Sequence, residues 1–249
     1  MLLSRGTIPD RISTAPGDRI YAIGDIHGRW DLLGRMLDTI ARHDERRPRQ
    51  ERSLILITGD VIDRGPQSRE CLAAARLLCQ SGAGRCLVGN HEAMLLDAIE
   101  GNFGAQRVWL RNGGLETLAS FGINQDRIIA DPKEFGRRLA ASIPEEDIEF
   151  LRSLPLSHQS GDYLFVHAGV RPGVKLHRQA AADMMWVRDE FLNDERWHGA
   201  MVVHGHSIVP NVEFRPNRIA IDTEAWRSGL LSCVMFEDDV RSVLTVQDG

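Results

Sequence analysis

Five short motifs punctuate this chain: Gly24-Asp25-Ile26-His27-Gly28, Gly59-Asp60-Val61-Ile62-Asp63-Arg64-Gly65, Gly89-Asn90-His91-Glu92, His167-Ala168-Gly169 and Gly205-His206. Each places Asp, Asn or His at the end of an apolar, β-branched run, the pattern of a buried strand that stops at a loop. Taken singly, Asp25, Asp60 or Asn90 reads equally well as a turn residue, because Asp and Asn favour turns. Repeated in five places, the pattern demands a fold that gathers several strand ends at one spot. Strand-like runs alternate with helix-patterned segments through the N-terminal part, which is α/β in character.

The run at 19–25 reads as a buried strand. Leu32, Leu33, Met36, Leu37, Ile40 and Ala41 then recur at helical spacing. Further strands are expected at 53–58 and 86–88, and helices at 67–80, closed by Ser81-Gly82, and at 92–100. Residues 102–155 hold only helix-like segments, at 108–111, 115–121, 132–141 and 145–153. Strand-like runs return at 163–166, 201–203, 218–221, 231–236 and 240–246, the last two as a hairpin around Glu237-Asp238-Asp239. The expected organisation is a loose lead-in over 1–18 and a single domain over 19–249. Its helical insert, about 102–155, forms a cap.

The net charge of −5 and pI near 6.0 argue against a nucleic-acid binder. The one basic stretch, Arg42, Arg46, Arg47, Arg49 and Arg52, is interleaved with Asp44, Glu45, Glu51 and Pro48 and reads as a solvated loop. Cys71, Cys79, Cys86 and Cys233 form no Cys-x-x-Cys pair, the usage of buried thiols in a reduced compartment. Arg5, Pro9, Asp10 and Arg11 interrupt any leader-like apolar stretch. No run approaches the roughly 18 apolar residues of a membrane span. The expected location is the cytoplasm, with no membrane and no nucleic acid as partner.

The five motifs hold enough ligands for two divalent metals sharing one carboxylate. Metals about 3.5–4 Å apart can clamp a phosphoryl group and hold the attacking water in line. Asp25 and His27 alternate along an extended segment, so both can lean into one loop. Asp60 follows the next strand and is the natural bridge. Asp25, His27 and Asp60 would hold one metal; Asp60, Asn90, His167 and His206 the other. Nitrogen and oxygen ligands without thiolate suit Mn, Fe or Zn better than Ca. His91 follows a ligand and points into the same site, a suitable donor to a leaving alkoxide. Asp63 is the carboxylate best placed to keep it charged. Arg64 offers a planar fork for phosphate oxygens.

The order of these motifs resembles that of the phosphoprotein phosphatase family of metallophosphatases, particularly its small bacterial and bacteriophage-lambda-type members. The resemblance runs from about residue 19 to about 223. It implies a central β-sandwich flanked by helices, two metal ions (often Mn²⁺), and direct attack of water without a phosphoenzyme. The implied substrates are phosphomonoesters, typically phosphoserine and phosphothreonine in proteins, with small phosphoesters as the other partner class. It assigns His91 as acid, Asp63 as its partner and Arg64 as a phosphate ligand. Arg188, in Trp186-Val187-Arg188, falls where bacterial members carry a second phosphate-binding arginine. Asn112-Gly113-Gly114 resembles an element of the bacterial branch and is expected near the site mouth. Two positions depart from the pattern. Val88 stands where many members carry Arg, and Glu224 follows Ile221-Asp222-Thr223 where Gly is usual.

A symmetrical bis(5'-nucleosyl)-tetraphosphatase is the alternative enzyme, because that group shares the first three motifs and often has an apolar residue in the place of Val88. Glu92 and Asn112-Gly113-Gly114 speak against it. A degenerate phosphoprotein-binding module would have lost ligands, and none is missing. His204 reads as a strand residue rather than a ligand. His43, His158, His177 and His198 read as surface residues. Oligomeric state is not legible.

Overall fold

The computed structural model describes residues 7–47, 52–124 and 131–249 of the chain. Pro48, Arg49 and Glu51 of the basic stretch lie outside the described residues. The first strand, β1 (Asp18–Ile23), is buried along its whole length. Ile20 and Ala22 join one apolar cluster while Tyr21 and Ile23 join another. That is the signature of a strand covered on both faces, as parallel strands are. Helix α1 (Trp30–Glu45) follows, then β2 (Arg52–Ile57), α2 (Ser68–Gln80) and the short β3 (Gly84–Cys86). β1 pairs in parallel with β2, and β2 with β3.

From β3 to the next strand the described residues are helical. The elements are α3 (Asn90–Ile99), α4 (Phe103–Trp109), a wide π-type turn (Leu110–Gly114), α5 (Leu115–Ser120), α6 (Pro132–Ser142) and α7 (Glu145–Ser153). They enclose a core of their own around Trp109, Leu118, Phe135 and Leu151. Next come β4 (Ser157–Ser160), β5 (Tyr163–Val166), the short helices α8 (Ala181–Trp186) and α9 (Asp189–Leu192), and β6 (Met201–His204). The chain ends with β7 (Glu213–Phe214), β8 (Arg218–Ala220), α10 (Ala225–Ser228) and the hairpin β9 (Leu230–Glu237) and β10 (Val240–Gln247).

Two five-stranded sheets result, ordered β10-β9-β1-β2-β3 and β4-β5-β6-β8-β7. Ile20, Leu56, Phe165, Val203, Ile219 and Phe236 fill the space between them. Tyr21, Leu33, Met36 and Cys71 seal the first sheet under α1 and α2, and Leu164, Val202, Met184 and Phe191 the second under α8 and α9. The layers are therefore helix, sheet, sheet, helix, an α/β sandwich flanked by helices. No helix of the described residues is long and apolar enough to cross a membrane.

Some local expectations need correcting. β4 and β7 carry no apolar alternation and were not expected as strands; both pair antiparallel at sheet edges, where one neighbour suffices. Residues 12–15 are not loose. Ile12 and Thr14 are buried, Thr14 N–H donates to Asp238 O, and Asp162 N–H donates to Ser13 O. This segment bridges the two sheets. His158 is buried on β4, not a surface residue, and accepts from Arg85 at 3.1 Å. His43 is half-buried, 2.9 Å from the Tyr21 hydroxyl.

Candidate metal centre

The central strands of each sheet are parallel, and their C-terminal ends point the same way. Asp25 and His27 follow β1, Asp60 follows β2, and Asn90 begins α3 just after β3. From the other sheet His167 follows β5 and His206 follows β6. Ligands in α/β sheets sit outside the carboxyl ends of strands, and the two halves of the sandwich meet here. The loops are strained accordingly. Among the described residues, His27, Asp60, Asp63, Arg64, His206 and Glu224 have φ between 47° and 72°, and the only other non-glycine of this kind is Asp238 in the β9–β10 turn. Such backbone survives only where its surroundings fix it. Close approach is the reason for Gly205: a Cβ there would lie 2.0 Å from Asp25 Oδ1.

The ring tautomers can be read from their partners. His27 Nδ1 lies 2.8 Å from Ile62 O and His167 Nδ1 lies 3.0 Å from Thr58 O. A carbonyl only accepts, so both Nδ1 atoms carry the proton and both Nε2 lone pairs face inward. There His27 Nε2 meets Asp60 Oδ2 at 3.5 Å, while His167 Nε2 meets Asp60 Oδ1 at 3.4 Å and Asn90 Oδ1 at 2.9 Å. Lone pairs thus converge on lone pairs. His206 Nε2 and Asp25 Oδ1 are buried with no hydrogen-bond partner. Inward acceptors set against other acceptors fit cations, and here they fit two. His27, Asp60 and His91 form one close group; Asp60, His167 and His206 form another, with Asp60 common to both.

Electrostatics agree. Burial pushes His27 down to about 3 and His206 to about 2, so both offer neutral nitrogen. Asp60 sits well below the usual carboxylate range: burial would raise it, but the surrounding His167, His91, His27 and His206 outweigh that. Asp25 is held well above that range by burial and by the charges of Asp222 and Asp60. His91 goes the other way from the other rings. Burial would lower it, but Asp60 and the hydrogen-bonded Asp63 raise it. Its Nδ1 lies 2.6 Å from Asp63 Oδ2, and its Nε2 lies 3.9 Å from Asp60 Oδ2 and 3.2 Å from Arg64 Nη2.

The structure therefore brings together Asp25, His27, Asp60, Asn90, His167, His206, His91, Asp63 and Arg64. His91 joins one of the two three-residue groups, where the sequence points to Asp25. Asp25 instead stands beside it with one oxygen bound to the His206 N–H at 3.0 Å and the other unpartnered. Arg188 precedes α9, is exposed, and lies near enough for its charge to act on His167 and His206. His204 lies on β6 with Nδ1 on Gly205 O, outside the cluster. Val88 is half-buried and binds Pro155 O through its N–H. The Glu224 carboxylate is paired with Arg227, 2.7 Å from its Nη2. It lines a cleft of about 680 Å³ with Arg64, Gly113, Ile208 and Trp226.

Sequence reasoning missed Glu92. Its carboxylate receives the N–H groups of Gly89 (2.8 Å), Asp60 (2.9 Å) and Val61 (2.9 Å). The signal was a glutamate at the third position of a helix, which commonly reaches back to the cap. Here it also holds the neighbouring Asp60 loop.

Residues 18–228 match the family described as calcineurin-like phosphoesterase. Serine/threonine-protein phosphatase 2 of Escherichia coli (strain K12) is 30% identical over 228 residues, covering 86% of this chain and 90% of that protein. The symmetrical bis(5'-nucleosyl)-tetraphosphatase of Methylococcus capsulatus is 34% identical over 153 residues, covering 61% of this chain. The match spans only 44% of that relative's length. A crystal structure of a candidate diadenosine tetraphosphatase superposes with a TM-score of 0.63 at 22% identity, covering 96% of this chain and 99% of that one. At that identity the likeness is one of fold.

Proposed function

The chain belongs to the calcineurin-like phosphoesterase family, whose members are dinuclear-metal hydrolases, and from that premise we propose that it is a phosphomonoesterase acting on phosphoserine and phosphothreonine in proteins. Asp25, His27 and Asp60 would hold one metal and Asp60, Asn90, His167 and His206 the other. When bound, the two ions supply charge to the phosphoryl oxygens and an activated water. Mn²⁺ is the ion we propose, Fe or Zn being compatible with the same donors.

The remaining residues do the rest. Asp63 accepts from His91 Nδ1 and so turns Nε2 toward the space in front of Asp60. From there His91 hands its proton to the leaving oxygen as the P–O bond breaks, and the seryl or threonyl hydroxyl departs neutral. Arg64 Nη2 lies 3.2 Å from the same Nε2, so both groups would donate to one phosphate oxygen in front of them. Arg188, exposed on the other flank, supplies a second guanidinium to the same phosphate.

The observation that carries the protein-phosphatase reading is length. In sequence, the match to the phosphatase from Escherichia coli runs nearly end to end in both proteins, whereas the tetraphosphatase match covers under half of its relative; the candidate diadenosine tetraphosphatase superposed over 99% of its length shares only 22% identity and speaks to fold alone. Hydrolysis of dinucleoside tetraphosphates is the second reading, favoured by the apolar Val88. Metal-stripped protein resupplied with Mn²⁺ is assayed on a phosphothreonine peptide beside a dinucleoside tetraphosphate. Higher kcat/KM on the peptide is expected; higher kcat/KM on the dinucleotide would replace the first reading by the second.

A further inference from the structure

Asp63 and Arg64 share a loop whose shape the loop itself cannot hold. Both have left-handed backbone, φ 72° and 67°, which is strained for side chains that carry a Cβ. Ser68 of α2 accepts the Asp63 N–H at 3.0 Å, and the rest of what holds them comes from the helical stretch between β3 and β4. The fully buried Trp109, last residue of α4, donates its indole N–H to both Asp63 oxygens, at 3.1 and 3.0 Å. Thr117 on α5, also fully buried, donates its hydroxyl to Asp63 Oδ1 at 2.6 Å and accepts the Asp63 N–H at 3.0 Å. The wide turn between α4 and α5 carries Gly113, whose carbonyl accepts the Arg64 N–H at 3.1 Å. No other residue fits at 113: φ is 110°, and a Cβ would lie 2.6 Å from Arg64 N and 2.7 Å from its Cγ. Wide turns of this kind inside helices recur at functional sites.

We propose that Trp109, Gly113 and Thr117 are positioning residues, through which the helical insert sets the proton donor His91 and the phosphate ligand Arg64 in register with each other. The inference rests on the roles given above to His91 and Arg64. Two arms can be told apart. Trp109 and Thr117 act on Asp63, hence on the hydrogen bond that aims His91. Gly113 acts on Arg64 alone. With Trp109 or Thr117 altered, the carboxylate loses a donor that fixes its plane, and His91 Nε2 drifts from the leaving oxygen. That matters for an alkoxide leaving group, which needs the proton, and little for nitrophenolate, which leaves without it.

The test measures kcat and KM of Mn²⁺-loaded protein on a phosphothreonine peptide and on p-nitrophenyl phosphate, with bound metal counted in every variant. Trp109→Phe and Thr117→Val are expected to lower kcat on the peptide by about tenfold more than on the nitrophenyl ester, part of the 10²–10⁴ a general acid supplies, with KM and metal content little changed. Thr117→Ser, which keeps the hydroxyl, should restore the wild-type ratio. Gly113→Ala should raise KM on both substrates by the same factor. Equal losses on both leaving groups, tracking a fall in melting temperature, would reduce the arm to packing and overturn the proposal. His91→Asn is the reference. If it shows the leaving-group bias and Trp109→Phe and Thr117→Val do not, the proposal alone falls. If His91→Asn shows no bias, the role of His91 falls and the proposal with it.

Discussion

At the scale of single residues, Asp60 and His91 separate two kinds of failure. Asp60 touches both candidate metal groups, so Asp60→Asn should abolish turnover and metal binding together, read by metal content and kcat on a phosphopeptide. His91 is engaged by Asp63 and lies beside Asn90 without being required to bind metal. His91→Asn should lower kcat by about 10²–10⁴ while metal content stays near wild type; loss of metal would make His91 a ligand, as its place in one close group allows. Glu92 carries a different load. In Glu92→Gln one oxygen becomes an NH₂ facing either the N–H groups of Gly89 and Asp60 together or that of Val61, donor against donor. Urea unfolding should show a loss of roughly 2–3 kcal/mol, and an unchanged midpoint would mean that the loop stands without it. That the candidate ligands gather was legible in the sequence because their motifs sit where strands end. Glu92, Trp109 and Thr117 were not, because what they touch lies 31, 46 and 54 residues away and no local pattern encodes a partner that distant.

At the scale of elements, the strands of the core were legible and the edges were not. β1 and β2 read as strands because burial on both faces leaves an apolar run; β4, Ser157–Ser160, is polar and exists by pairing with β5. That hidden strand has a measurable consequence. His158 on β4 is buried and accepts from Arg85, and burial, then the charges of Arg85 and Arg52, push it down to about 4. A histidine lowered on folding binds its proton less tightly in the native state. Its contribution is therefore whole above the unfolded value near 6.5 and is lost as pH falls toward 4. Unfolding free energies of wild type and His158→Gln, compared at pH 7 and pH 5, should converge or cross at the lower pH. A gap that stays constant would mean that His158 remains accessible to protons in the folded strand.

At the scale of the whole molecule, the site is also a joint. Asp25, His27, Asp60 and Asn90 belong to the first sheet, His167 and His206 to the second, and on the rim away from them residues 13–15 tie Asp238 of the β9–β10 turn to Ser160 and Asp162. Nothing in a linear pattern states that two sheets face each other; it follows only once the ligands are required to meet. Without cations the joint holds opposed charge: burial and the neighbouring Asp222 and Asp60 keep Asp25 well above the carboxylate range. Burial likewise raises Asp222 to about 6. Binding confined to the native state adds stability in proportion to occupancy, about 2.7 kcal/mol at a hundredfold excess over Kd. Chelation should therefore lower the melting temperature by several degrees, at roughly 2–4 °C per kcal/mol for a chain of this size. Mn²⁺ should restore it in wild type and in His91→Asn but not in Asp60→Asn. A melting temperature indifferent to chelator and Mn²⁺ in the wild type would mean that the inward lone pairs of His27, His167 and His206 are satisfied by something other than metal, and the two-metal reading would go with it.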